Sequence, residues 1–256
     1  THYPPDGRPC LLLKFHLDRQ FFRDFDIFRI SVKYISGPAL MDKMEEQART
    51  YGATIKTGED VVAIEKDVDL FRIKTNTKEY FGKSVVLYTG STYRKLCIDG
   101  EEELIGSGVH FCATCDGAFY RDRDIIVVGG GNSALEEGIF LAGFCKSVKI
   151  VHIAEEFTAS ETYIEKLDSI DNISTYMNKT SKEFMANDKS LFEGLRVVDN
   201  KSGEEEVITA DGVFIFIGLI PNTQSFKNLV ELNESGFITT SGLAQTSEEG
   251  IFAAGD

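Results

Sequence analysis

The sequence predicts an α/β fold with room for two domains, one of them holding a Rossmann-like nucleotide-binding unit. Three observations carry that expectation. First, the apolar run Ile125-Ile126-Val127-Val128 leads into Gly129-x-Gly131-x-x-Ala134, then into a helical stretch and a second apolar strand, Ser147 to Ile153. This is a βαβ unit. Its small residues stand where a tight turn, a close-lying pyrophosphate and helix–strand packing require them. Second, two more buried-strand patterns, Ser84 to Gly90 and Val213 to Gly218, end in glycine. The first, ending in Thr89-Gly90, has the form of a strand delivering a loop to a ligand. Third, 256 residues are enough for two domains.

The elements follow in chain order. Residues 1–34 are aromatic and charged without helical or strand periodicity, and carry no motif. Ser36-Gly37-Pro38 starts a helix, with Pro38 tolerated in its first turn. Leu40, Met41, Met44, Ala48 and Tyr51 form an apolar stripe expected to face the core, and Gly52 closes the helix. Short strands are expected at 53–55, 60–64, 70–73 and 79–81, with a turn near Asp67. In the βαβ helix, Leu135, Ile139, Phe140 and Leu141 are expected to point inward. Ser160 to Leu167 reads as a helix and Ile173 to Met177 as a strand. Strands near 191–198 and 205–210 are joined by the hairpin turn Asp199-Asn200-Lys201-Ser202-Gly203. Pro221-Asn222-Thr223 reads as a return linker. The tail ends in the strand Ile251-Phe252-Ala253, followed by Gly255-Asp256, whose carboxylate could hold a ribose or ribitol hydroxyl.

Composition excludes some functions. With 27 basic and 41 acidic residues the net charge is −14, a field that repels nucleic acid and anionic membranes. No apolar run approaches the roughly 18 residues that span a bilayer. The first 30 residues show no signal-peptide pattern. Five cysteines form an odd set with one close pair, Cys112 and Cys115. That usage fits a reducing compartment, the cytoplasm, holding one catalytic pair.

The pair lies in His110-Phe111-Cys112-Ala113-Thr114-Cys115-Asp116-Gly117, just upstream of the glycine-rich turn. Two cysteines separated by two residues close a small disulfide and can cycle between dithiol and disulfide. Beside a dinucleotide turn they point to electrons passing from a nucleotide cofactor to a disulfide. A structural zinc site is the competing reading. Zinc wants four ligands, and no second Cys-x-x-Cys exists, so no metal is expected. Cys10, Cys97 and Cys145 are expected to be buried and inert.

Five ordered motifs then matter together: Thr89-Gly90-x-x-x-Arg94-Lys95-Leu96, Cys112-Ala-Thr-Cys115-Asp116-Gly117, Gly129-Gly-Gly-Asn-Ser-Ala-Leu-Glu-Glu137, Ile217-Gly-x-x-Pro-Asn-Thr223 and Gly250-Ile-Phe-Ala-Ala-Gly-Asp256. From about residue 35 onward the chain resembles bacterial-type, low-molecular-weight thioredoxin reductases. The resemblance implies an α/β fold of two Rossmann-like, three-layer (ββα/αβα) nucleotide-binding domains: an FAD domain in two pieces, 1–104 and 219–256, incomplete at both ends, interrupted by a pyridine-nucleotide domain over 105–218 that carries the cysteines. It implies electron flow from NADPH or NADH through FAD to the Cys112–Cys115 disulfide and on to thioredoxin. Cys115 would face the flavin, Cys112 would attack the partner, and Asp116 would serve as acid/base. Gly129, Gly131, Asn132, Ser133, Ala134, Glu137, His152 and Glu155 would bind the pyridine nucleotide. Val62, Thr89, Gly90, Asn222, Gly255 and Asp256 would bind FAD. The family is usually a homodimer and rotates one domain against the other during turnover.

Two departures from that pattern stand out. The glycine-rich FAD-binding strand–turn–helix that normally opens the family is missing from residues 1–34, and the sequence stops before the closing helix. The expectation is a partial chain with a foreign or misread first segment, lacking the main FAD pyrophosphate cradle. The family's His-Arg-Arg-x-x-x-Arg run is here His152-Ile153-Ala154-Glu155-Glu156-Phe157-Thr158. Carboxylates repel a 2′-phosphate but accept hydrogen bonds from a ribose diol, so NADH is expected to be preferred. The rival readings are a ferredoxin-driven or peroxiredoxin-reducing flavoprotein and, from another class, a non-catalytic nucleotide-binding paralogue or fragment.

Overall fold

The computed structural model describes residues 12–14 and 37–255. Asp256 and Cys10, with the expectations attached to them, lie outside the described residues. The chain divides into two compact units, Thr1–Thr92 with Pro221–Asp256, and Tyr93–Ile220. These boundaries fall at 92/93 and 220/221, against the sequence-based 104/105 and 218/219.

The first unit holds strand β1 (Leu12–Lys14), helix α1 (Gly37–Thr50) and strands β2 (Thr54–Lys56), β3 (Val61–Asp67), β4 (Leu70–Thr75), β5 (Glu79–Gly82) and β6 (Val85–Leu87). The chain leaves it in β7 (Ser91–Tyr93). The second unit holds α2 (Glu101–Leu104), β8 (Val109–His110), α3 (Ala113–Asp116), a 3-10 turn (Gly117–Tyr120), β9 (Asp124–Val128), α4 (Asn132–Ala142), β10 (Ser147–Val151), α5 (Glu161–Asp168) and β11 (Ile173–Tyr176). It is completed by β12 (Lys179–Ala186), β13 (Phe192–Asp199), β14 (Glu205–Thr209) and β15 (Gly212–Ile215); β16 (Leu219–Pro221) returns the chain, and β17 (Ile251–Ala253) follows in the first unit.

In the second unit a five-stranded parallel sheet runs in the order β11-β10-β9-β15-β8. The alternation along β9 explains its two covers. Ile125 and Val127 face α4 and α5, packing with Leu135, Leu141 and Leu167. Ile126 and Val128 face the antiparallel sheet β12-β13-β14, packing with Phe184, Leu195, Val197 and Ile208. A sheet covered on both faces needs apolar residues on both, hence the unbroken apolar run at 125–128. Each such side chain contributes about 1.5–3 kcal/mol of burial.

In the first unit, β3-β4-β5 form an antiparallel meander and β6 pairs in parallel with β17, Val85 opposite Ile251 and Leu87 opposite Ala253. Phe71, Ile73, Leu87, Phe226 and Ile251 share its core. Separately, β1 pairs antiparallel with β2.

Several sequence expectations need correction. Met41 and Met44 are 61% and 39% exposed, and Tyr51 is also exposed. Periodicity identifies the apolar face of α1, but the described residues supply no layer against it. Phe140 is 47% exposed. The buried face of α4 is Ala134, Leu135, Gly138, Leu141 and Ala142, and a residue one step off that spacing is rotated about 100° away. Cys97 is exposed, in a turn where its N–H donates to the Glu101 carboxylate, whereas Cys145 is buried. Strand β12 escaped the sequence reading because Lys179 to Glu183 is polar throughout and buries little.

Candidate active site

Cys112 is the N-cap of α3, with an extended backbone, and its Sγ accepts a hydrogen bond from the Cys115 N–H at 3.1 Å. The two cysteines are joined by a disulfide, their Cα atoms 5.3 Å apart. Cys115 is exposed and Cys112 half-buried. An N–H donor aimed at Sγ at a helix start favours a thiolate on Cys112.

Asp116 ends α3, and its Oδ2 lies 3.1 Å from Nδ1 of His110. The other ring nitrogen of His110, Nε2, is 2.7 Å from the Tyr120 hydroxyl. His110 is buried, stacked on Phe214 at 5.2 Å, while Tyr120 meets both rings edge-on. Burial pushes the imidazole below its ordinary value of 6.5, opposed by the Asp116 carboxylate. Burial pushes the Tyr120 phenol up to about 12, and the Asp116 charge adds to it. Sequence reasoning missed both residues. His110 stood two positions before Cys112, but nothing in spacing or periodicity links positions 110, 116 and 120.

The glycine-rich turn follows β9. Gly129 sits at φ +142, and a Cβ there would lie 2.3 Å from the Phe216 carbonyl oxygen, so only glycine fits. Gly131 leads into α4 with no side chain capping the helix start, and a Cβ there would meet nothing closer than 3.7 Å. Open N–H groups above a cleared turn are what a pyrophosphate needs. Asn132 and Ser133 are exposed in the first turn, and Ala134 is buried beneath it. Burial pushes Glu137 upward, with the Glu136 charge adding to the shift.

Loop 153–160 is tied to this turn. Thr158 and Ala159 donate their N–H groups to the Gly130 carbonyl, and Ser160 N–H donates to Asn132 Oδ1 at 2.8 Å. His152 is buried, its Nε2 donating to the Glu156 carbonyl at 3.1 Å and its ring stacked on Phe157. Glu155 instead pairs with Lys201 at 2.8 Å, both side chains well exposed. Lys201 comes from the 199–203 hairpin, and only the fold reveals it as a neighbour of this loop.

In the first unit, the parallel strands β6 and β17 end side by side. Thr89, Gly90 and Gly255 line a cavity of about 110 Å³. Asn222, between the lining residues Pro221 and Thr223, ties two of these residues down, donating its backbone N–H to the Gly90 carbonyl and its Nδ2 to the Thr89 carbonyl, each at 3.0 Å. Carboxyl ends of parallel strands are where nucleotides bind in open α/β sheets. The volume is well below the roughly 300 Å³ that small-molecule sites start from, so these residues could hold one part of a flavin dinucleotide. Val62 is exposed on β3 at a bulge and does not line this cavity. Among the described residues no group of three His, Cys, Asp or Glu side chains is placed to hold a metal, and no helix is long and apolar enough to cross a membrane.

Comparison with known proteins matches this architecture. Residues 14–256 fit the family of pyridine nucleotide-disulphide oxidoreductases, a match that begins inside the 1–34 stretch where no motif was legible. A Bacillus subtilis protein named thioredoxin reductase is 39% identical over 222 residues, 87% of this chain and 70% of the relative. One from Mycolicibacterium smegmatis is 39% identical over 223 residues, covering 87% and 71%. Among solved structures, thioredoxin reductase from Lactococcus lactis superposes with a TM-score of 0.70 at 34% identity, covering 89% of this chain and 74% of that one. The T. acidophilum thioredoxin reductase gives 0.69 at 34%, with the same coverage. On these grounds the chain belongs to the pyridine nucleotide-disulphide oxidoreductase family.

Proposed function

We infer that this protein is a thioredoxin-disulfide reductase. The observation that carries the reading is the Cys112–Cys115 disulfide at the start of α3, in the same unit as a dinucleotide turn cleared for a pyrophosphate. A bound flavin and pyridine nucleotide would supply the electron pair that opens this disulfide. The remaining chemistry belongs to the chain. Opening the S–S bond leaves two sulfur anions, one of them on Cys112, where the Cys115 N–H holds it. The Cys112 thiolate attacks the partner's disulfide, forming a mixed disulfide and expelling a partner thiolate. The Cys115 thiolate then attacks Cys112 Sγ, restoring the intramolecular bond and releasing the partner's second thiolate. Asp116 supplies the proton that the leaving sulfur takes.

Residues 129–134, with His152, would seat the pyridine nucleotide. Thr89, Gly90, Asn222 and Gly255 would seat part of the FAD, with Val62 as a further contact outside the cavity at the strand ends. NADH is the favoured donor. Loop 153–158 presents Glu155 and Glu156 and no arginine, and the cation beside it, Lys201, is already paired with Glu155. A homodimer in the cytoplasm is the setting we propose, the latter from the cysteine usage. The non-catalytic alternative leaves a disulfide at a helix start beside an acid unexplained.

The test is thioredoxin reduction by the full-length gene product, supplied with FAD and either NADH or NADPH. Turnover is expected, and replacing Cys112 or Cys115 by Ser should reduce it by at least about 10³-fold, the scale of losing a covalent nucleophile. No turnover with either donor, in a protein that retains flavin, would overturn the reading.

A further inference from the structure

We propose that His110 and Tyr120 form a proton relay that connects Asp116 to an open cavity at the amino ends of the parallel strands, with His110 as the positioning residue that holds Asp116. The inference rests on the reading of Asp116 as the acid/base of the disulfide exchange.

The geometry is a continuous chain. Asp116 Oδ2 and His110 Nδ1 are 3.1 Å apart, and His110 Nε2 and the Tyr120 hydroxyl are 2.7 Å apart. Beyond Tyr120 lies an open cavity of about 680 Å³, lined by both His110 and Tyr120 together with Gly108, Arg123, Lys149 and Asp211. Gly108, Arg123 and Asp211 immediately precede β8, β9 and β15, so the cavity lies at the amino ends of the parallel strands. The Gly129–Gly131 turn follows the carboxyl end of β9. The relay therefore reaches solvent at the opposite end of the sheet from the nucleotide turn.

The donors align in one direction for each state of Asp116. With Asp116 ionised, Nδ1–H donates to the carboxylate and the Tyr120 O–H donates to Nε2, which fixes the neutral tautomer. With Asp116 protonated, its O–H donates to Nδ1, Nε2–H donates to the Tyr120 oxygen, and the Tyr120 O–H points into the cavity. One proton moves inward as follows. A hydronium ion from solvent in the cavity gives a proton to the Tyr120 oxygen and is left as water, the Tyr120 proton passes to Nε2, and the Nδ1 proton passes to Asp116. At the end Tyr120 and His110 are again neutral, Asp116 carries the proton, and a single charge has been transferred. Burial favours neutral forms of both ring groups, so neither intermediate ion has to persist. The charged and titratable groups facing the pair are Asp116 on one side and, around the cavity, Arg123, Asp124, Lys149, Glu193 and Asp211. Arg123 and Asp211 pair with each other at 3.8 Å, and Lys146 pairs with Asp124 at 2.9 Å. Phe214 insulates the rings, stacking on His110 and meeting Tyr120 edge-on.

Such a relay matters when a bound protein covers the thiols, because the exchange then needs protons from another side. The experiment uses the full-length holoenzyme with Tyr120→Phe and His110→Asn. Phenylalanine keeps the packing and removes the hydroxyl. Asparagine can still donate to Asp116 but cannot pass a proton on. The expected result is a roughly tenfold lower thioredoxin kcat in both, a fraction of what a general acid contributes. It should come with a displaced pH profile and an altered solvent deuterium effect, and with unchanged reduction of ferricyanide, which needs no disulfide. The relay is overturned if both variants keep the wild-type rate, pH profile and isotope effect while Asp116→Asn is slow. It is equally overturned if they slow without any change in profile or isotope effect, since that marks a structural role. A wild-type rate in Asp116→Asn would remove the acid itself, and the relay with it.

Discussion

The molecule contains two places where parallel strands end at a glycine-bearing turn, and they are built to different standards. In the second unit β9 is flanked on both sides, by β10 and β15, and its four apolar residues, Ile125 to Val128, are buried. A single local segment supplies strand, turn and helix. In the first unit β6 has, among the described residues, one parallel partner, β17, whose residues lie more than 160 positions away. The cavity at their ends is about 110 Å³. A locally encoded crevice has its strand packed on both faces and its helix laid on the same sheet. A crevice assembled from distant segments is only as firm as the contacts that bring them together.

Glycine substitutions separate the two most sharply. Gly129→Ala drives a Cβ into the Phe216 carbonyl and should cost about 3 kcal/mol, with loss of donor saturation. Gly255→Ala meets nothing closer than 3.7 Å and carries only the strain of a positive φ, about 1–2 kcal/mol. Thermal unfolding of both variants decides the matter, and equal shifts would break the comparison.

The donor loop sharpens it next. NADH should exceed NADPH in kcat/KM by roughly ten- to a hundredfold, the value of one missing charge-assisted contact to a phosphate. Glu155→Arg should narrow that ratio, and a wild-type preference for NADPH would refute the argument. The smallest effect concerns pH. His110 and His152 are both held below 6.5 by burial, so unfolding takes up protons as the pH falls through 6.5. Their contribution is present above that value and lost beneath it. Melting temperatures from pH 7.5 to 5 should fall less steeply in His110→Asn than in wild type; parallel curves would remove His110 from the account.

The sequence made some of this visible and hid the rest for identifiable reasons. Gly129, Gly131 and Ala134 were legible because their roles are set within one strand–turn–helix segment. Cys112 and Cys115 were legible because three residues of separation define their chemistry. Met41 and Phe140 were misjudged because an apolar residue announces hydrophobicity, whereas exposure depends on what is packed opposite.

By itself the sequence determined the α/β class, the close cysteine pair and the glycine-rich strand–turn–helix, since each is written in residues that are neighbours in the chain. Only the tertiary structure decided that His110 bridges Asp116 to Tyr120, that Lys201 answers Glu155, and that Asn222 ties down Thr89 and Gly90. Those pairings depend on how the backbone turns between the partners, across ten residues or across more than a hundred, and hydrogen bonds reaching about 3 Å form only once the fold has set those turns.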